Sequence, residues 1–400
     1  MKILQLCHKP PLPSIDGGCI SMNNITEGLL KNKCKVKILT ISTVKHPFKE
    51  ELLPKNYLQR TAIEGVFVDT QLNIVDAFSN LVTSDSYNIS RFFSPDFDTL
   101  LIKTLKNNSF DVIHLESLFM TPYVHTLRKY SSAKVILRSH NLEYMIWERL
   151  ARKTINPAKK IYLNILSKQL KNYETSVLNS IDGIAAISMD DRLKYEKLGC
   201  EKPMKTIPFG IDIKKYHHKE KKVDTENIKF FHLGSMDWKP NLEAVTWLIE
   251  EIWPALTQQH NTISLQLAGR KMPSWILEHN NSNNITNHSE VDSASDFISS
   301  NDIMIVPLIS AGGMRVKIIE GMALGKTIIS TKIGAEGINY KDGENILIAN
   351  TIDEFKQVVN MLIKHPQMIQ AIGKNAREFV SNYYNNKIIT SNLLEFYKSV

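Results

Sequence analysis

The chain has 400 residues, 43% of them hydrophobic and 22% charged, with a formal net charge of +8. That length exceeds one ordinary core and suits two domains, and the composition is that of a soluble globular protein. No apolar run approaches the ~20 residues of a membrane span, and the positive balance favours an anionic partner (nucleotide, anionic lipid or nucleic acid) without choosing among them.

Short apolar runs alternate with helical patterns along the chain. Residues 3–7, 36–42, 112–115, 134–139 and 183–187 read as parallel strands of one doubly wound sheet, and 228–233, 264–268, 303–307 and 327–330 as those of a second. The apolar start is only six residues long before His8 and the prolines, so it reads as a first buried strand and not a signal peptide, and the chain is expected in the cytoplasm. Sequons at Asn24, Asn88 and Asn107 then carry no meaning. Cys7, Cys19, Cys34 and Cys200 show neither C-x-x-C spacing nor clustered histidines, so they are expected to be reduced and structural. The boundary is expected near 201–208, where Pro203, Pro208 and Gly210 cluster, and the Asn-rich stretch 279–288 reads as a surface loop.

Several segments could carry chemistry. The loop 13–19 holds Gly17 and Gly18 between the first strand and a helix start. Asp96-Phe97-Asp98 and Asp190-Asp191 read as helix-start acids, not as metal ligands. The strand end 137–149, LRSHNLEYMIWER, presents His140 and Glu143. Residues 151–172 gather Arg152, Lys153, Lys159, Lys160, Lys168 and Lys171 beside Ile161, Leu163, Ile165, Leu166 and Leu170 without an acid. Such a stretch suits an anionic membrane surface, or equally a helix with its stripe in the core.

In the second half, 231–254 runs strand, Gly234, Ser235, a polar turn and a long amphipathic helix from about Pro240, in which Asp237 and Asn241 could fix the turn. Trp238, Trp247 and Trp253 read as packing residues on that helix. Gly269 and Arg270 end another strand, and a cation there either faces whatever binds beyond the sheet or is a solvated loop arginine. The richest segment is 306–331, VPLISAGGMRVKIIEGMALGKTIIST. Gly312 and Gly313 let backbone N–H groups approach a ligand, the next helix points its positive end there, and Arg315 and Lys317 add cations. Glu320 is the only acid between Asp302 and Glu336. An anion joined to a polyol, a nucleoside diphosphate sugar, fits this pattern.

Segment 306–331, with 231–254, HNLEY at 140–144, Gly17-Gly18 and PFGID at 208–212, resembles the retaining GT-B glycosyltransferases of glycosyltransferase family 4. The resemblance implies two Rossmann-like domains facing a central cleft: 1–205 on the acceptor side, with a last helix 387–400 packing back on it, and 206–386 for the nucleotide sugar. It assigns Glu320 to the donor ribose, Gly234 and Ser235 to the diphosphate, Gly17 and Gly18 to the phosphate and acceptor, and His140 to the transferred sugar, with Glu143 orienting it or binding acceptor hydroxyls. The first Glu of the family's Glu-x7-Glu motif is absent, Gly312 standing there. The phosphate-binding Arg of the 231–254 turn is Ser235 here, so Arg270, Arg315 and Lys317 are the replacement cations.

The expectation is therefore a retaining transferase, independent of metal and of any cofactor beyond its donor substrate. It would move sugar from a nucleotide sugar to a saccharide or lipid-linked acceptor in polysaccharide or glycolipid assembly, with no nucleic acid partner. It would be cytoplasmic or peripheral on the inner face of the plasma membrane. A catalytically silent GT-B protein that binds nucleotide sugar or scaffolds partner transferases is the alternative. A GT-B epimerase fits less well, and an NAD dehydrogenase is disfavoured because no G-x-G-x-x-G follows the first strand.

Overall fold

Every strand of both sheets pairs in parallel, so each connection must cross over, and helices cover both faces. The structure, a computed structural model, describes residues 1–71, 86–218, 222–279, 284–310 and 312–400. It divides into two units, Met1–Gly210 with Asn386–Val400, and Ile211–Asn385.

The first unit's sheet, among the described residues, has the order β3-β2-β1-β4-β5-β6-β7. The strands are β1 (Lys2–Cys7), β2 (Lys35–Ser42), β3 (Glu64–Phe67), β4 (Val112–Glu116), β5 (Lys134–Ser139), β6 (Gly183–Ala186) and β7 (Met204–Thr206). β1 shows why apolar runs become central strands: Leu4 and Leu6 pack into one helix layer while Ile3 and Cys7 pack into the other. The helix Asn386–Ser399 belongs to this unit, where Ile389, Leu393 and Phe396 join the layer that holds Met22, Ile25 and Leu29 of the helix Gly17–Lys31.

The second sheet has the order β10-β9-β8-β11-β12-β13, with β8 (Ile228–Leu233), β9 (Ile263–Ala268), β10 (Ile285–Asn287), β11 (Ile303–Val306), β12 (Thr327–Ser330) and β13 (Leu347–Ile348). β10 corrects the expectation of a surface loop over 279–288. Ile285–Asn287 pairs with β9 at Leu265–Leu267 and buries Ile285 against it, while 280–283 lies outside the described residues.

Other expectations shift in detail. The four cysteines are free and buried. Asp96 and Asp98 lie in the first turn of the helix Pro95–Asn107, but Ser94 is its cap; Ser188 likewise caps the helix that carries Asp190 and Asp191. The basic stretch 151–172 is split by Pro157 between the helices Glu143–Lys153 and Pro157–Val177. Trp253 is fully buried and Trp247 packs edge-on to Phe355, but Trp238 precedes its helix and is 37% exposed.

Each sheet reverses its strand order once, between β1 and β4 and between β8 and β11. Ligands of doubly wound sheets bind beyond the carboxyl ends of the strands at such switch points.

Candidate functional site

In the second unit, β8 runs out into Gly234, β9 into Gly269 and β11 into the loop that holds Gly312 and Gly313. The first two turns are laced together. Gly234 donates its N–H to the Ala268 carbonyl at 3.1 Å, and Met236 donates to the Arg270 carbonyl at 2.9 Å. A Cβ on Gly269 would lie 1.8 Å from the Gly234 carbonyl oxygen, so only glycine permits this approach. Asn241 holds the turn from the helix side, its Nδ2 donating to the Ser235 carbonyl at 2.9 Å, and Ser235 Oγ donates to Asp237 at 2.5 Å. Gly313 has φ 73°, a left-handed conformation that favours glycine.

Lys317, in the first turn of the helix Val316–Ala323, lies against this turn. Its Nζ donates to the Leu233 carbonyl at 3.0 Å and to Asn241 Oδ1 at 2.9 Å, and it approaches His232 Nε2 at 3.3 Å. His232 donates Nδ1–H to the Ile305 carbonyl at 2.8 Å, which leaves Nε2 as an acceptor for the lysine. Burial, with Arg315 nearby, pulls the Lys317 ammonium down to about 7, and burial with Lys317 beside it holds His232 neutral. The three protons of Lys317 are thus met by protein acceptors, so this cation braces the β8 turn. Arg315, expected beside it as a second cation, lies over the Trp238 ring at 5.7 Å and donates to the Gly313 carbonyl. Arg270 is half-buried at the end of β9.

Glu320 lies one turn further along the helix and accepts the Tyr216 hydroxyl at 2.8 Å. Burial raises its carboxyl above the usual range, against the opposing pull of that bond. A second carboxylate reaches the loop from the side, for Ser310 donates to Glu243.

In the first unit the carboxyl ends of β4 and β5 carry Glu116 and His140. Glu116 is fully buried and accepts from Gln5 at 3.0 Å, from His114 Nε2 at 3.0 Å, from Arg138 at 3.1 Å and from His140 Nε2 at 2.8 Å. Burial alone would push its carboxyl up, but Arg138 and His114 outweigh it and hold Glu116 well below the usual range. His140 moves the other way: burial lowers it more than Glu116 raises it, so the ring is neutral and donates through Nε2. Glu143 is not the residue that orients His140. It accepts from Asn141 at 3.2 Å and is pushed up to about 7 by burial.

Gly17 and Gly18 open the helix Gly17–Lys31 behind its cap Asp16. Lys9 Nζ binds both Asp16 oxygens at 2.7 and 2.8 Å and lies where a Gly18 Cβ would point, and His46 Nε2 is 2.9 Å from Asp16. Asp16, Cys19 and His46 bring potential metal-ligating atoms within 4.8 Å of one another, but the Lys9 ammonium already occupies both oxygens of that carboxylate. Ser21, on this helix, accepts from Arg138 at 2.9 Å, which ties the glycine turn to the Glu116 cluster.

The structure therefore gathers Gly234, Ser235, Arg270, Gly312, Gly313, Arg315, Lys317 and Glu320 at the strand ends of one unit, and Gly17, Gly18 and His140 at those of the other. Sequence reasoning missed Glu116, Lys9, His232, Tyr216 and Glu243. Glu116 left a signal, since a carboxylate closing the apolar strand VIHLE needs a buried partner.

Residues 15–215, half of the chain, match the family profile described as Glycosyltransferase Family 4, and residues 227–365 match one described as Glycosyl transferases group 1. The chain belongs to glycosyltransferase family 4. A relative of this member, an uncharacterised 44.6 kDa protein in the cps region of Klebsiella pneumoniae, is 24% identical over 98% of this chain and 99% of its own. Among solved structures the family 4 chain is similar to sucrose-phosphate synthase from Thermosynechococcus elongatus (TM-score 0.75, 15% identity, 100% and 99% covered) and to Anabaena HepE in complex with UDP (TM-score 0.71, 14% identity, 100% of both). These likenesses identify the fold as that of the GT-B glycosyltransferases.

Proposed function

We propose that the chain moves a sugar, with retention at the anomeric carbon, from a nucleoside diphosphate sugar to a saccharide or lipid-linked acceptor in cell-surface polysaccharide or glycolipid assembly. The observation that carries this reading is the glycine loop and buried Arg315 at the β8/β11 switch point, at the start of the helix that carries the Glu320 carboxylate. Backbone N–H groups, a helix N-terminus and a cation suit a diphosphate; a carboxylate suits ribose hydroxyls. HepE has been crystallised with UDP and with UDP-glucose, and the Klebsiella relative lies in a cps region, which supports donor and pathway class.

As the anomeric C–O bond breaks, its electron pair passes to the leaving diphosphate oxygen. The acceptor oxygen attacks the same face, and its proton goes to that phosphate oxygen. Charge grows on the phosphate, so Arg315, the turn braced by Lys317 and the backbone N–H groups of Gly312 and Gly313 lower the barrier without a required metal ion, while the Gly234 N–H is already given to the Ala268 carbonyl. His140 is the residue assigned to the sugar hydroxyls by the family resemblance.

A membrane-borne acceptor is supported by the helix Pro157–Val177. Leu163, Leu166 and Leu170 fill its core stripe, yet Ile161 and Ile165 face outward at 62% and 40% exposure, after Ile155 at 97%, beside exposed Lys159, Lys160 and Lys168. The attachment this face supports is peripheral, on the inner leaflet; no helix among the described residues is long and apolar enough to cross a membrane.

Gly312 where the family's first Glu stands favours one other reading, a silent nucleotide-sugar binder. Incubating the protein with a panel of nucleotide sugars, with and without chelator, and measuring nucleoside diphosphate release separates them. Release resistant to chelator supports transfer; binding without release for every donor supports silence.

A further inference from the structure

The segment before β8 is fastened along the helix Val316–Ala323 at three points. Arg377, from the helix Gln367–Tyr383, donates to the carbonyls of Tyr216 (3.0 Å) and Ala323. His218 Nδ1 donates to the Leu324 carbonyl at 2.9 Å, and the Tyr216 hydroxyl donates to Glu320 Oε1 at 2.8 Å. Asp212 starts this segment as the cap of a short turn, Ile213–Lys215, that ends at Tyr216. The phenol is therefore delivered by a backbone tied to this helix on both sides of Tyr216's own bond.

We propose that Tyr216 is a positioning residue of the ribose site, fixing the rotamer of the Glu320 carboxylate so that its remaining acceptor positions meet the two hydroxyls of a nucleoside. The chemistry allows both occupants. An ionised carboxylate offers about four lone-pair positions. The phenol takes one on Oε1, and a cis-diol needs two. A single long Glu side chain without this bond would sample several rotamers, and a diol would have to select one. The inference rests on Glu320 serving the ribose, as in the functional reading above.

The charge state follows the same bond. Tyr216 is the group bonded to this carboxylate, and Asp212 acts on that phenol; of the charged and titratable groups on the neighbouring elements, His218 and Arg377 are given to backbone carbonyls, Lys317 to the β8 turn, and Arg315, at the cap of the helix, to the Trp238 ring and the Gly313 carbonyl. Burial raises Glu320 and the phenol opposes that rise, so removing the hydroxyl raises it further and brings protonation closer to neutrality.

The test is titration of the purified full chain with uridine diphosphate and with its 2′,3′-dideoxy analogue, for wild type, Tyr216→Phe and Glu320→Gln. Tyr216→Phe keeps the ring and its packing. It should weaken uridine diphosphate about tenfold, the equivalent of about 1.4 kcal/mol, leave the dideoxy analogue unchanged, and move the acid limb of binding to higher pH. Unchanged or tighter uridine diphosphate binding by Tyr216→Phe overturns the inference, as does equal weakening of the dideoxy analogue. If Glu320→Gln binds uridine diphosphate as wild type does, the ribose reading itself fails. If Glu320→Gln weakens it and Tyr216→Phe does not, only the role of Tyr216 is lost.

Discussion

The Glu116 carboxylate accepts the Nε2–H of His140 at 2.8 Å, and because a carboxylate only accepts, this bond fixes the imidazole tautomer and leaves Nδ1 as the ring's acceptor. A neutral histidine so held can take a hydrogen bond from a sugar or acceptor hydroxyl without reorganising. His140→Ala is expected to leave nucleotide affinity unchanged, since Gly234, Arg315 and Glu320 all lie in the other unit, and to lower kcat for transfer. Calorimetry with uridine diphosphate beside a transfer assay checks both halves; normal turnover would leave His140 a structural role alone.

Glu116→Gln is expected to act on stability as well as on rate. It removes the anion shared by Arg138, His114 and His140, and stranding a buried partner charge costs about 3–5 kcal/mol. Denaturant unfolding of the variant should show a lower midpoint. An unchanged midpoint would mean that water or a rearranged partner satisfies Arg138.

Arg315→Ala should lower kcat by roughly 10²-fold, with a smaller effect on donor affinity, if the guanidinium meets charge that develops on the leaving phosphate. Added magnesium should not restore the rate. A wild-type enzyme silenced by chelator would contradict this account.

Lys317 gives a pH signature. Its folded-state ammonium titrates near 7 against 10.5 for an ordinary lysine, so the unfolded chain binds the extra proton between those values. Stability contributed at this site must therefore rise as pH rises through that window, by at most ~1.4 kcal/mol per pH unit. The difference in unfolding free energy between wild type and Lys317→Met, measured from pH 7 to 10, should move in favour of wild type. A flat difference would show that the acceptors on Leu233, Asn241 and His232 keep the lysine charged throughout.

The outward isoleucines predict the last outcome. Co-sedimentation with anionic vesicles should weaken with salt, fall when Lys159, Lys160 and Lys168 become Gln, and fall also for Ile161→Ser with Ile165→Ser, which leave charge untouched. Indifference to anionic vesicles at low ionic strength would favour a soluble acceptor.

The sequence by itself determined what is local and repetitive. Runs such as 3–7, 228–233 and 303–306 are apolar at nearly every position because both faces of a central parallel strand are buried, so nine strands and two doubly wound sheets could be read directly. The edge strands β3, β7, β10 and β13 are two to four residues long and partly exposed, and leave no such run. The glycine loop, Arg315, Lys317 and Glu320 were likewise legible because they fall within nine consecutive residues. Only the tertiary structure decided what those side chains do. Lys317 meets Asn241 across 76 residues, Glu116 meets His140 across 24, and Tyr216 meets Glu320 across 104. Those partners are chosen by strand order and crossover geometry, and burial then forces each charge to find whichever group the fold has placed within hydrogen-bond reach.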